Sequence, residues 1–185
     1  LEADSGIIFN HVSFKYPSRS SKALDDVSLS IGSGKSLAIV GSTGSGKSTL
    51  IRLLMRFYEP DEGKILFAGK ELKEWDRYEL RRHIGVIQQE VYLFSGTVRD
   101  NLTLGKHGWS DSYLVEQCHK TRFWELIKNR GGLDMIVLEG GSNLSLGERQ
   151  LLAFTRTWIF NPSVLILDEA TSALDYESEK IIQEN

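Results

Sequence analysis

The sequence predicts an α/β fold: a core of parallel sheet with flanking helices, a small antiparallel β layer at the N-terminus, and a helical subdomain over about residues 90–160. Three stretches predict it. The apolar run Leu37-Ala38-Ile39-Val40 leads through a glycine-rich loop, residues 41–46, into the helix-like run Leu50 to Met55, the strand–turn–helix order of a sheet wound with helices. Val164-Leu165-Ile166-Leu167 is a second continuous apolar run, as expected of a parallel strand covered on both faces. Ahead of both, residues 7–16 and 27–31 alternate apolar and polar, as half-buried antiparallel strands do.

Taken in order, Ile7 to Tyr16 reads as a strand, and Lys15 to Ser21 as a turn-rich loop. Val27 to Ile31 is the next strand and turns at Gly32 to Gly34, before the buried-type strand Leu37 to Val40. A helix from about Lys47 to Tyr58 stops ahead of Pro60. Gly63 to Ala68 is extended, Glu79 to His83 helical, and Arg77, Arg81, Arg82 and His83 form a basic cluster that reads as a solvated helix face. Ile84 to Ile87 is a strand ending in Gln88-Gln89-Glu90. From Thr97 to Arg130 the pattern is helical. Ser110 caps a helix near Asp111 to Lys120, and a second helix runs near Phe123 to Asn129. Asp134 to Leu138 is extended, and Gly140-Gly141 precedes a helix from about Glu148 to Phe160, with Leu151, Phe154 and Trp158 on one side. Asn161-Pro162 ends it, Val164 to Leu167 follows, and another helix begins near Tyr176.

The chemistry concentrates at strand ends, where ligands bind in open α/β sheets. Gly41-Ser42-Thr43-Gly44-Ser45-Gly46-Lys47-Ser48-Thr49 places glycines where the backbone bends tightly and brings N–H groups close to a ligand. Those amides and the positive end of the following helix make a cradle for phosphate. Lys47 adds a charge for the outer phosphates, and the Ser48 hydroxyl suits magnesium. A ligand-free Gly/Ser loop would not need Lys47 and Ser48 at a helix start. Asp168-Glu169 follows four large aliphatics: one carboxylate can hold magnesium through its water shell, the other can orient or deprotonate a water. Gln89 also stands at a strand end.

Composition narrows the field. The 185 residues suit one domain over 1–185, and 41% apolar content is enough for a core. A net charge of −3 gives no electrostatic case for nucleic-acid binding. The one cysteine, Cys118, cannot form an internal disulfide, which suits a reducing compartment, and reads as a small residue on a helix. No apolar run approaches a membrane span, so an anchor to a membrane has to come from another segment or chain.

From about Ile7 to its end, the chain resembles the nucleotide-binding domain of an ABC transporter, of exporter type. Gly41 to Thr49 matches the Walker A motif, and Val164 to Glu169 matches Walker B with its following glutamate. Leu144-Ser145-Leu146-Gly147-Glu148 resembles the LSGGQ signature, Ser172 to Asp175 the D-loop, and Gln89, placed by Leu93 to Arg99, the Q-loop. Tyr16 fits the aromatic that stacks on adenine, and Glu139 the loop that senses the transmembrane partner. The resemblance implies a P-loop NTPase core that binds ATP and Mg2+ between two domains arranged head to tail, each site joining the loop of one copy to Ser145 and Gly147 of the other. It implies Tyr16 and residues 41–49 (Gly41, Ser42, Thr43, Gly44, Ser45, Gly46, Lys47, Ser48, Thr49) as nucleotide contacts, Ser48, Gln89 and Asp168 as magnesium ligands, and Glu169 as general base, with Lys47 and Gln89 assisting. The implied partners are a second nucleotide-binding domain and a transmembrane domain, with no nucleic acid, on the cytoplasmic face of a membrane.

Two departures stand out. The signature has Leu146 where the family usually has Gly, and Glu148 where it usually has Gln. The family also carries a switch histidine after the D-loop helix, whereas His11, His83, His107 and His119 all precede Walker B. The chain is therefore expected to be part of a longer domain whose C-terminal strand is missing here. Two other readings are a soluble ABC-type ATPase of DNA repair or translation, which would carry insertions or basic arms, and a nucleotide-binding regulatory module without turnover.

Overall fold

The structure is a computed structural model that describes residues 6–88 and 90–168. It divides into two compact units, Leu1–Arg82 and His83–Asn185. Gln89, Glu169, the D-loop stretch 172–175 and the expected helix after Tyr176 lie outside the described residues.

In the first unit, β1 (Ile7–Phe14) is flanked by β2 (Leu24–Ile31) and β3 (Glu62–Phe67), with the short β4 (Lys70–Glu71) beyond, in the order β2-β1-β3-β4 and antiparallel throughout. This is the expected N-terminal β layer. Alternation in β1 buries Ile7, Phe9, Val12 and Phe14. Its register with β2 shifts between Phe9 and Val12, where His11 takes a positive φ and its Nδ1 lies 2.7 Å from Asp26 Oδ1.

Helix α1 (Lys47–Leu54) buries Leu50, Leu53 and Leu54. It is shorter than the sequence predicts, for a structural reason. Arg56 sits at φ 51°, its N–H bonds Leu53 O, and Phe57 N–H reaches back to Arg52 O. This paired closure of a helix end usually uses glycine. Arg56 holds it instead by donating from Nη1 to Trp75 O (2.6 Å) and from Nη2 to Glu59 (2.9 Å). Helix α2 (Arg77–Arg82) follows. Its Arg81 does not simply face solvent: it donates to Met55 O (3.0 Å) and Arg56 O (3.3 Å), satisfying carbonyls that the end of α1 leaves open.

Leu37 to Val40 is not a strand. Residues 35–40 form no regular structure, and Leu37, Ile39 and Val40 are 48%, 45% and 90% exposed. An extended run becomes a sheet strand only when a neighbour takes its backbone hydrogen bonds, and no strand among the described residues pairs with it.

The second unit contains the one parallel pair among the described residues, β5 (Ile84–Ile87) with β8 (Val164–Leu167), in register from Ile84↔Val164 to Ile87↔Leu167. Leu165 and Leu167 remain more than a third exposed, so β8 is covered on one face by the described residues and not on both. A two-residue antiparallel pair joins β6 (Gly96–Thr97) to β7 (Ile136–Val137).

The rest of the unit is helical: α3 (Val98–Thr103), α4 (Asp111–Lys120), α5 (Phe123–Ile127) and α6 (Leu146–Ile159). Ser110 caps α4 through Tyr113 N–H, as its position predicts. The core packs Leu102, Leu114, Phe123, Ile127 and Val137 against Leu151, Leu152 and Phe154 of α6. Cys118 belongs to this core, and burial pushes its thiol up to about 12, which leaves it an inert apolar filler.

Candidate functional site

The first candidate element is the loop 41–46 with the start of α1. Gly46 precedes the helix at φ 97°, a left-handed conformation that side chains disfavour. A Cβ there would stand 2.7 Å from Ala23 O and 2.7 Å from Leu24 Cδ2, so the position excludes one by space as well. The loop closes on itself through Ser45 N–H to Ser42 O (3.1 Å), while Thr49 and Leu50 N–H both reach Gly46 O. The amides of Lys47 and Ser48, in the first turn, have no partner within the helix. Gly41 to Ser45 and Ser48 are exposed. Lys47 folds back over the loop, its ammonium donating to Gly41 O (2.6 Å) and Ser42 O (3.1 Å). Donors on backbone and ammonium thus converge at an accessible helix start, the arrangement an anionic ligand requires.

Thr49 differs from its neighbours. It is 6% exposed, and its Oγ1 lies 3.2 Å from the Tyr16 hydroxyl. The contact ties Tyr16 to α1. Arg52 Nη1 donates to the same hydroxyl (3.0 Å), a bond that raises the Arg52 pKa. The Tyr16 ring meets Phe14 and Tyr58 edge-on, at 4.9 and 5.2 Å, and the guanidinium carbons of Arg19 and Arg52 lie 5.9 and 5.8 Å from its centroid. The sequence offered no signal for Arg52 or Tyr58: their contacts to Tyr16 span 36 and 42 residues and follow from folding, not from spacing.

The second element is the tip of α6. Ser145 is its N-cap: Glu148 N–H donates to Ser145 Oγ (3.2 Å) and Ser145 N–H to Glu148 Oε2 (2.7 Å), a complete capping box. The sequence carries this signal as Ser-x-x-Glu before an apolar run. Arg130 pairs with the other carboxylate oxygen. Burial alone would raise the Glu148 pKa, but the bonds from Ser145 N–H and Arg130 outweigh it and hold the carboxyl below its usual range. Ser145 and Leu146 are exposed, and a Cβ on Gly147 would meet nothing within 4 Å. Gly147 itself is half-buried. Asn143 fixes the preceding loop by accepting from Leu138 N–H and donating to Ile136 O, and Arg149 donates to Leu144 O. Glu139 is exposed in a short turn, Glu139–Gly141.

The third element is Asp168, at the carboxyl end of β8, where its N–H donates to Ile87 O (3.0 Å). No cluster of three His, Cys, Asp or Glu side chains among the described residues can hold a metal by itself. Ser48 at the start of α1 and Asp168 after β8 each offer a hard oxygen donor, of the kind magnesium prefers. No helix among the described residues is long and apolar enough to cross a membrane.

Known proteins carry the same pattern. The ABC transporter family model matches residues 24–172. The ABC-type transporter fsqE of Aspergillus fumigatus is 47% identical over 180 residues, which are 95% of this chain and 14% of that protein. A putative multidrug export ATP-binding/permease protein of Staphylococcus aureus is 45% identical over 186 residues, covering 100% of this chain and 32% of its own length. A solved bacterial Atm1-family ABC exporter with ATP bound matches with a TM-score of 0.89 at 36% identity, over 100% of this chain and 33% of that one. The chain thus spans about a third or less of each of these relatives. With motifs, local geometry and identity along nearly the whole length in agreement, the chain belongs to the ABC transporter family and carries the motifs of its ATP-binding domain.

Proposed function

We propose that the chain binds and hydrolyses ATP and thereby powers export of a substrate across a membrane, two such domains closing head to tail on the nucleotide. The observation that carries this reading is the pair of complementary, accessible helix starts. One has a lysine and a glycine-built loop; the other has a serine cap and an unobstructed Gly147.

In this reading Tyr16 stacks on the base, and the amides of residues 41–49 and Lys47 grip the phosphates. The Lys47 ammonium exchanges the carbonyls of Gly41 and Ser42 for phosphate oxygens. Ser48, Gln89 and Asp168 would hold Mg2+, which would neutralise charge on the outer phosphates. Glu169 takes a proton from the attacking water as the bond to the γ-phosphorus forms and the bond to the leaving ADP oxygen breaks. Ser145 donates its hydroxyl, and Leu146 and Gly147 their amides, to the γ-phosphate of the second copy. The partner domains are a second nucleotide-binding domain and a transmembrane domain, which place the chain on the cytoplasmic face of a membrane.

The test is phosphate release from the full-length protein. Turnover that requires Mg2+ and rises more than proportionally with ATP is expected, and nucleotide binding without turnover contradicts the reading. A second expectation separates fold from function. Gly147→Ala meets no neighbour, and the added methyl favours helix by about 0.5–1 kcal/mol at most. The melting temperature should hold or rise slightly while hydrolysis falls, because the methyl stands where the second copy's phosphate has to approach. Unchanged hydrolysis would exclude Gly147 from that contact.

A further inference from the structure

We propose that Arg130 is a positioning residue for nucleotide-driven closure: it holds Glu148 beside the α6 tip and cancels its charge, leaving the Ser145 hydroxyl and the Leu146 and Gly147 amides open to a triphosphate. The inference rests on the head-to-tail reading above and assigns to Arg130 a part in it that neither motif nor spacing indicates.

The geometry is specific. Both oxygens of Glu148 are committed, Oε1 to Arg130 Nη1 and Oε2 to the Ser145 N–H at 2.7 Å. Arg130 is itself seated on the loop before the tip, through Nη2 to Asn143 O at 3.4 Å. The Asn143 side chain in turn bridges Leu138 N–H and Ile136 O. The pair is partly enclosed, with 18% of the Glu148 side chain and 41% of the Arg130 side chain exposed.

A conflict explains the need for it. A carboxylate at the third position of a helix satisfies the capping box and the positive helix end. The same negative charge repels a triphosphate approaching the same amides. A neutral glutamine would cap without that repulsion. Here the carboxylate is kept and a guanidinium 18 residues upstream offsets it. Glu148 is charged across the physiological range, since its pKa lies below the usual carboxylate value, so the offset is needed at every working pH.

The experiment uses the full-length protein with ATP as the probe. Arg130→Gln is expected to raise KM for Mg-ATP by about three- to tenfold, with kcat at saturating ATP retained, because closure is weakened while the chemistry is untouched. Raising the ionic strength should narrow the difference from wild type. The double variant Arg130→Gln/Glu148→Gln should recover the wild-type KM, since neither charge remains. An unchanged KM in the single variant, a fall in kcat alone, or no recovery in the double variant would overturn the assignment while leaving the ATPase reading intact. Absence of turnover in the wild type would overturn both.

Discussion

Glu169→Gln is expected to slow ATP hydrolysis by about 10²–10⁴-fold, the usual worth of a positioned proton acceptor, and to leave nucleotide binding in place. The β8 run Val164–Leu167 ends at Asp168, held by its N–H to Ile87 O at 3.0 Å, and Glu169 is next in sequence. In the proposed reading the two adjacent carboxylates take separate tasks, one on the water shell of magnesium and one on the attacking water. Glutamine keeps the size and the hydrogen-bonding reach and removes only the basicity. Single-turnover phosphate release, compared with titration of a fluorescent nucleotide, separates the two effects. Equal turnover in wild type and variant would remove Glu169 from the chemistry.

Gly46→Ala is expected to cost about 2–5 kcal/mol of stability and to abolish nucleotide binding with it. Two terms add. An L side chain at φ 97° pays about 1–2 kcal/mol for the left-handed backbone. Its Cβ would also press on Ala23 O and Leu24 Cδ2, both at 2.7 Å. One of these is backbone and cannot swing aside, so overpacking adds about 1–3 kcal/mol. Gly44→Ala is the control: its φ is 87°, but nothing lies within 4 Å, and only the backbone term applies. Urea unfolding of both variants should place Gly46→Ala well below Gly44→Ala. Equal midpoints would mean that the loop does not bear on Ala23 and Leu24.

Much of this was legible in the sequence because it is local. Alternation placed β1, the four-residue apolar run placed β8, Ser110 marked the start of α4, and glycines with Lys47 marked the loop. What the sequence hid is what folding creates between distant residues. Helix α1 stops four residues before Tyr58 because Arg56 takes a glycine's conformation, stabilised by Trp75 O and Glu59. Leu37 to Val40 has strand composition, yet strand structure depends on a neighbour, and the described residues supply none. Arg81 has the composition of a solvated face and the role of a cap. At the α6 tip Ser145 and Glu148 stand at capping-box spacing, whereas no spacing marks the Arg130 that pairs with the other Glu148 oxygen.

The central claim is that each ATP site is shared between two copies, and mixing two inactive variants tests it most directly. Lys47→Ala removes the phosphate grip from one subunit, and Ser145→Arg blocks the α6 tip of the other. Each alone should be inactive. Mixed subunits should regain hydrolysis, because one of the two composite sites then receives an intact loop and an intact tip, while the other carries both defects. No recovery on mixing, or wild-type turnover by the Ser145→Arg protein alone, would contradict a shared site.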